Sequence, residues 1–389
     1  GQQRFWMNTG HGGYCVSKRA TISRMLWDIF CRVIDNHGDL GVCWRLSVNL
    51  AARGQRVRLW VDDASALIWM APEANLNADG WAQLKFDKGE VQVRPWDAGL
   101  SQTSEASHVW IEAFGCELPE HFLLNEQDKP ALDQVPVWIN LEYLSAESYV
   151  ERSHRLPSPV MSGPMKGRTK WFFYPGFTEK TGGLLREKYL EESSTWQTAE
   201  ETSVAPDARF AQPIQSSLFC YEPAALLEAL QLSSFNRTEH EWQVAHGRGA
   251  LAFDKALGAL PLNGMPPNFQ KIPPLSQIEY DQLLRSCDLN FVRGEDSLVR
   301  ALWAGKALIW HIYPQDDGAH AAKLNAFLDW LKAPESLRQF HMTWNGLSQV
   351  ALPEIDLLAW QACVQNARQR LMKQADLVSQ LLQFVAEKG

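Results

Sequence analysis

Two short strings in this chain carry side chains that can do chemistry. The first, Asp35-Asn36-His37-Gly38-Asp39, sets two carboxylates four residues apart in a glycine-bearing loop that continues to Gly41. Carboxylates this close can bind a divalent cation, act as a general base with an orienting partner, or cap the helix that follows. The second, Arg293-Gly294-Glu295-Asp296-Ser297, follows an apolar run and opens a helical pattern. A helix starting at the end of a buried strand aims unpaired N–H groups and the positive end of its dipole at one point, which suits a phosphate or diphosphate. Arg293 adds a fixed charge and bidentate hydrogen bonding. The plainer reading is a capped helix, with Asp296 or Ser297 closing the first turn. Glu295 and Asp296 would repel a phosphate if their carboxylates faced it. They are compatible with one if only their backbone N–H groups serve it and the carboxylates turn to ribose hydroxyls, basic neighbours or the helix cap.

The elements that must hold these strings follow from periodicity. A strand over about 29–34, a helix over about 42–53 stopped by Gly54, and a strand over 57–61 form one βαβ unit around the first string. Shorter apolar segments at 91–94, 108–113 and 136–141 continue an α/β pattern. Between 145 and 202 the chain is rich in Pro, Gly, Ser and charge, which marks a junction. A second βα series runs through strands at 217–221, 242–246 and 270–272 and helices at 224–232 and 276–287. It continues through the strand 289–292, the helix carrying Leu298, Val299, Leu302 and Trp303 with Gly305 as its stop, and a strand at 307–313. A helical tract spans about 355–388. The fold class is therefore α/β, with two doubly wound domains. The divisions are an extension over 1–26 read as disordered, a first domain over 27–190, a second over 208–355, and a tail over 356–389 packing back on the first. Ligands of such sheets bind outside the carboxyl ends of the strands, and both strings lie at such ends, so they are expected to meet across a cleft.

Composition narrows the field. The chain has 389 residues and a formal net charge of -8, which argues against nucleic-acid binding driven by phosphate neutralisation. No apolar run approaches the ~20 residues of a membrane span, and no secretory h-region is present, so a cytoplasmic protein is expected. Seven scattered cysteines without a C-x-x-C suit free thiols in a reducing compartment. No metal is expected. The first string has no third clustered ligand, and His311, His320, Asp316 and Asp317 match no zinc spacing. Gln277, at the start of the 276–287 helix, can face a base edge. G-x-G-x-x-G is absent from the first loop.

The strings 34–46, 59–63, 140–148, 172–187, 217–222, 275–277, 291–297 and 310–315 together resemble the bacterial arginine rhamnosyltransferase family that modifies translation elongation factor P. The resemblance runs from about Trp27 to near the C-terminus. It implies a GT-B architecture of two Rossmann-like domains, dTDP-β-L-rhamnose as donor, an arginine of elongation factor P as acceptor, and inversion at the anomeric carbon. It further implies Asp39 as general base, Asp35 as a second required carboxylate, and residues Arg293, Gly294, Glu295, Asp296 and Ser297 around the diphosphate. Tyr221 and Gln277 fall on the donor side. Two positions depart from the family pattern: Pro274 stands where an aromatic residue stacks on the base, and His37 replaces a Phe. A monomer is expected. The residues alone leave open another GT-B transferase, a nucleotide-sugar epimerase, or a two-domain binding protein without chemistry.

Overall fold

The structure is a computed structural model that describes residues 23–34, 37–96, 105–130, 132–192, 213–235, 239–262 and 265–389. Its first sheet comprises β1 (Leu26–Cys31), β2 (Arg56–Val61), β3 (Ala82–Lys85), β4 (Glu90–Pro95), β5 (Val109–Ala113), β6 (Val137–Leu141), β7 (Pro157–Pro159) and β8 (Thr169–Phe173). Their order is β3-β4-β2-β1-β5-β6-β8-β7. The six central strands run parallel, and only the edge strands β3 and β7 pair antiparallel. The second sheet comprises β9 (Ile214–Leu218), β10 (His240–Val244), β11 (Asn268–Lys271), β12 (Leu289–Arg293) and β13 (Ala307–His311), ordered β11-β10-β9-β12-β13 and wholly parallel. Strand order reverses at β1, between β2 and β5, and at β9, between β10 and β12. Each sheet therefore has a switch point at which a crevice opens.

Strand β1 begins three residues before the position expected from its apolar run. The cause is Asp28, which breaks the apolar pattern but is fully buried and neutralised in place. Arg58 Nε donates to it at 2.6 Å, and Trp60 Nε1 at 2.7 Å, both from the neighbouring β2. The strand also begins inside the expected extension: Leu26 pairs with Arg56. Residues 1–22 lie outside the described residues.

The C-terminal tract is two helices, not one. Leu357–Met372 buries Trp360, Val364, Ala367 and Leu371 in the core of the second sheet. The chain then breaks at Asp376, whose carboxylate accepts from the Ser379 N–H at 3.0 Å and so caps a new helix, Leu377–Lys388. That second helix buries Leu381, Leu382, Phe384 and Val385 in the core of the first sheet. Among the described residues, no helix is long and apolar enough to cross a membrane.

Candidate active site

Cys31 ends β1, and the helix Gly38–Ala52 starts seven residues later. Its N-cap is His37, held in the left-handed region at φ 70, and no side chain caps the turn. The N-cap position is therefore taken by His37 and not by Asp39. Asp39 lies in the first turn and is buried, 5% exposed. The Tyr143 hydroxyl donates to Asp39 Oδ2 at 3.4 Å, and the Tyr143 ring stacks on Phe114 with centroids 4.5 Å apart. Asp35, its expected companion, lies outside the described residues.

Across the cleft, Arg293 ends β12 and is the N-cap of the helix Gly294–Ala304, again without a side-chain cap. Gly294 takes φ 69, a conformation that favours glycine, and this turns the chain sharply into the helix. The Arg293 guanidinium sits over the rings of Phe219 (4.3 Å) and Tyr221 (4.9 Å), and its Nη1 donates to the Cys220 carbonyl at 3.2 Å. Those three residues form the loop after β9, so the switch point is built from both strands. The Tyr221 N–H donates to His311 Nδ1 at 3.3 Å, and the two rings meet edge to face. Burial first, then the Arg293 and Arg248 guanidiniums, push the His311 imidazole down to about 3. It is therefore neutral and able to accept at Nδ1. Arg248 lies over the other part of this cluster, 5.3 Å from the Tyr221 ring, and pairs with Glu222 at 2.8 Å.

The two acids of the second string turn away from the start of their own helix. Glu295 pairs with Lys323 Nζ at 2.6 Å and accepts from the Leu144 N–H at 2.8 Å. Asp296 receives Arg45 Nε, at 3.0 Å to Oδ1 and 3.2 Å to Oδ2. Burial nevertheless holds the Asp296 carboxyl above its usual range. Of the three targets open from sequence, basic neighbours are the ones taken. Ser297 is buried behind them. Gln277 Nε2 donates to the Gly41 carbonyl at 3.1 Å, a contact that crosses to the opposite domain.

These contacts bring the two strings together. Residues 143 and 144 reach both: Tyr143 touches Asp39, and the next amide touches Glu295. Several participants were not singled out for chemistry by the sequence. Arg45, Asp281, Arg300, Glu187, Tyr143 and Lys323 are ordinary polar positions in their own segments. Only a partner more than 100 residues away makes most of them notable, as for Arg45 and Asp281 or Arg300 and Glu187.

A family model described as elongation-factor P (EF-P) rhamnosyltransferase EarP matches residues 27–386. The chain belongs to the EarP family. A protein-arginine rhamnosyltransferase of Pseudomonas aeruginosa is 39% identical, over 93% of this chain and 99% of its own length. One of Pseudomonas putida is 42% identical, over 78% of this chain and 80% of its own. A solved structure described as the structural basis for EarP-mediated arginine glycosylation of EF-P superposes with a TM-score of 0.56 at 26% identity, covering 94% of this chain and all of that one. EarP proteins are glycosyltransferases, and the two facing Rossmann-like sheets are their GT-B architecture. Among the described residues of this EarP chain, no group of three or more His, Cys, Asp or Glu side chains could hold a metal ion.

Proposed function

We propose that this chain transfers L-rhamnose from dTDP-β-L-rhamnose to an arginine side chain of EF-P, with inversion and without a metal ion. The observation that carries the reading is the convergence of Asp39 and the Arg293–Ser297 turn on one cleft, joined through Tyr143 and Leu144. Family membership supports arginine and rhamnose. The EF-P acceptor is what the related structure describes for its own protein. Facing strand ends suit a nucleotide sugar on one side and an acceptor on the other.

In this reading the diphosphate lies at the uncapped start of the helix Gly294–Ala304, beside Arg293, with the nucleoside toward the Phe219–Tyr221 loop. Arginine is protonated, with a pKa above ~12, while a carboxylate sits near ~4, so full deprotonation before attack costs roughly 1.4 kcal/mol for each unit of that gap. Asp39 therefore holds and orients the guanidinium, helped by Asp35, and takes the proton as the bond forms. The guanidine nitrogen bonds to the anomeric carbon from the face opposite the leaving group. The bond from that carbon to the diphosphate oxygen breaks, and dTDP leaves with the electron pair. The developing charge is met by backbone N–H groups and Arg293, which is electrostatic stabilisation of the leaving group by preset donors. The same reading has the enzyme act as a monomer, since one chain supplies both walls of the cleft, and places it in the cytoplasm, where its acceptor EF-P works.

The test is intact-mass spectrometry of EF-P incubated with the protein and dTDP-rhamnose. The expected result is one added deoxyhexose, lost when the acceptor arginine is replaced by lysine. Conversion of the nucleotide sugar without acceptor would identify an epimerase instead. Donor bound and released unchanged in the presence of EF-P would leave only a binding protein.

A further inference from the structure

The helix that carries Asp39 also carries Gly41 and Arg45 on one face, four residues apart. That face meets the second domain. The ideal Cβ of an alanine at Gly41 would lie 3.3 Å from Gln277 Nε2 and 3.7 Å from Asp296 Oδ2, so the missing side chain is what lets the two approach. Arg45 is 6% exposed and enters a buried cluster. Its Nη1 and Nη2 donate to the two oxygens of Asp281, each at 3.1 Å, while Nε faces Asp296. Arg300 donates to the same Asp281 carboxylate at 3.0 and 2.8 Å and to Glu187 at 2.6 Å. Burial and the Arg300 charge both disfavour the Arg45 cation, but the surrounding carboxylates outweigh them and its pKa rises.

Resting on the proposed transfer reaction, we infer that Arg45 is the positioning residue that sets the register between the carboxylate at Asp39 and the donor turn. A single rigid guanidinium grips both Asp281, which precedes β12, and Asp296, in the first turn after it. The anchor lies six residues, or about 9 Å along the helix axis, below Asp39. Arg45 also has an electrostatic task. Asp296 sits one turn from the expected diphosphate, and a carboxylate released there would repel it. Arg45 keeps that charge neutralised and turned aside. A lysine lacks the planar fork and could not make the bidentate pair with Asp281 and the Nε contact to Asp296 in this geometry.

The test is a double-mutant cycle on the full chain, read by calorimetry with dTDP and by transfer kinetics. Arg45→Met is expected to weaken dTDP binding at least about tenfold, and Asp296→Asn in that background to restore most of it. A purely structural role for Arg45 predicts that dTDP affinity falls and recovers only in step with the unfolding midpoint, whereas the inference expects the loss and rescue of affinity in samples that are fully folded at the assay temperature. An affinity within twofold of wild type in Arg45→Met, or no restoration by the second change, overturns the inference. Should Arg45→Met not fold, Arg45→Lys decides. The inference expects a wild-type unfolding midpoint with kcat down about tenfold or more, as a small misplacement of reacting groups produces. An unchanged kcat contradicts it. A wild-type protein that binds dTDP yet transfers nothing to EF-P would sink the acceptor assignment and leave the dTDP cycle to judge Arg45.

Discussion

Glu295, in the first turn of a helix of the second domain, accepts a hydrogen bond at 2.8 Å from the backbone N–H of Leu144, three residues past the end of β6 in the first domain. The other carboxylate oxygen holds Lys323 at 2.6 Å. Leu144 follows Tyr143, which touches Asp39, so this one bond lies between the donor turn and the proposed base. The two functions of Glu295 can be separated. Glu295→Gln keeps an acceptor for the amide and loses the charge pair, whereas Glu295→Ala loses both. The expected order of kcat is wild type, then Gln, then Ala, with Ala down about 10²-fold if alignment of the two walls is what is lost. Equal loss in both variants would assign the effect to charge alone. Steady-state transfer assays decide.

Arg293 should act on the donor. Arg293→Ala removes a charge-assisted contact of roughly 1.5–3 kcal/mol, so dTDP-rhamnose should bind about 10- to 100-fold more weakly. Calorimetry gives the answer, and an unchanged affinity would contradict the placement of the diphosphate.

Three buried histidines and the half-buried His154 set an acid limit. His154, His240 and His341 are each pushed down to about 4 and His311 to about 3, burial being the main cause in every case. The unfolded chain binds these protons near 6.5, whereas the folded protein refuses them until far lower pH. Stability is therefore full above about 6.5 and declines as pH falls toward about 4, by up to about 1.4 kcal/mol per pH unit for each such proton. Urea midpoints should drop between pH 7 and pH 5. His341→Gln should flatten the decline by about one proton, despite the hydrogen bond from the Trp310 N–H that Nε2 now accepts at 2.9 Å. A midpoint independent of pH over that range would contradict these burial assignments.

The last helix should be needed by the first domain, not the second. Phe384 is buried against Trp171 and Phe173, with ring centroids 5.7 Å away in both cases. Phe384→Ala is expected to cost the first domain about 3 kcal/mol. Domain-resolved hydrogen exchange checks it. Greater protection loss in the second domain's strands than in β6 and β8 would contradict the packing.

Much of this molecule is legible in its sequence. Parallel strands buried on both faces read as apolar runs, and Gly54 and Gly305 ended helices where their φ angles of 89 and 68 require glycine or cost another residue strain. Both chemical strings fell at strand ends because that is where a doubly wound chain must turn. The failures share one cause. Asp28 looked like a boundary because its partner Arg58 lies on the next strand. The tail looked continuous because an Asp cap within a polar stretch carries little periodic signal. The target of Asp296 was undecidable from local sequence, since Arg45 lies 251 residues away. Long-range pairing of charge leaves no periodicity to read.

The proposed transfer turns on Asp39. The decisive measurement is the transfer rate of Asp39→Asn set beside its affinity for dTDP-rhamnose. General-base loss is expected to lower kcat by at least about 10²-fold, with donor affinity within about twofold of wild type, because the donor is held from the opposite wall. Turnover near the wild-type rate, or a donor affinity that falls in step with kcat, would contradict it.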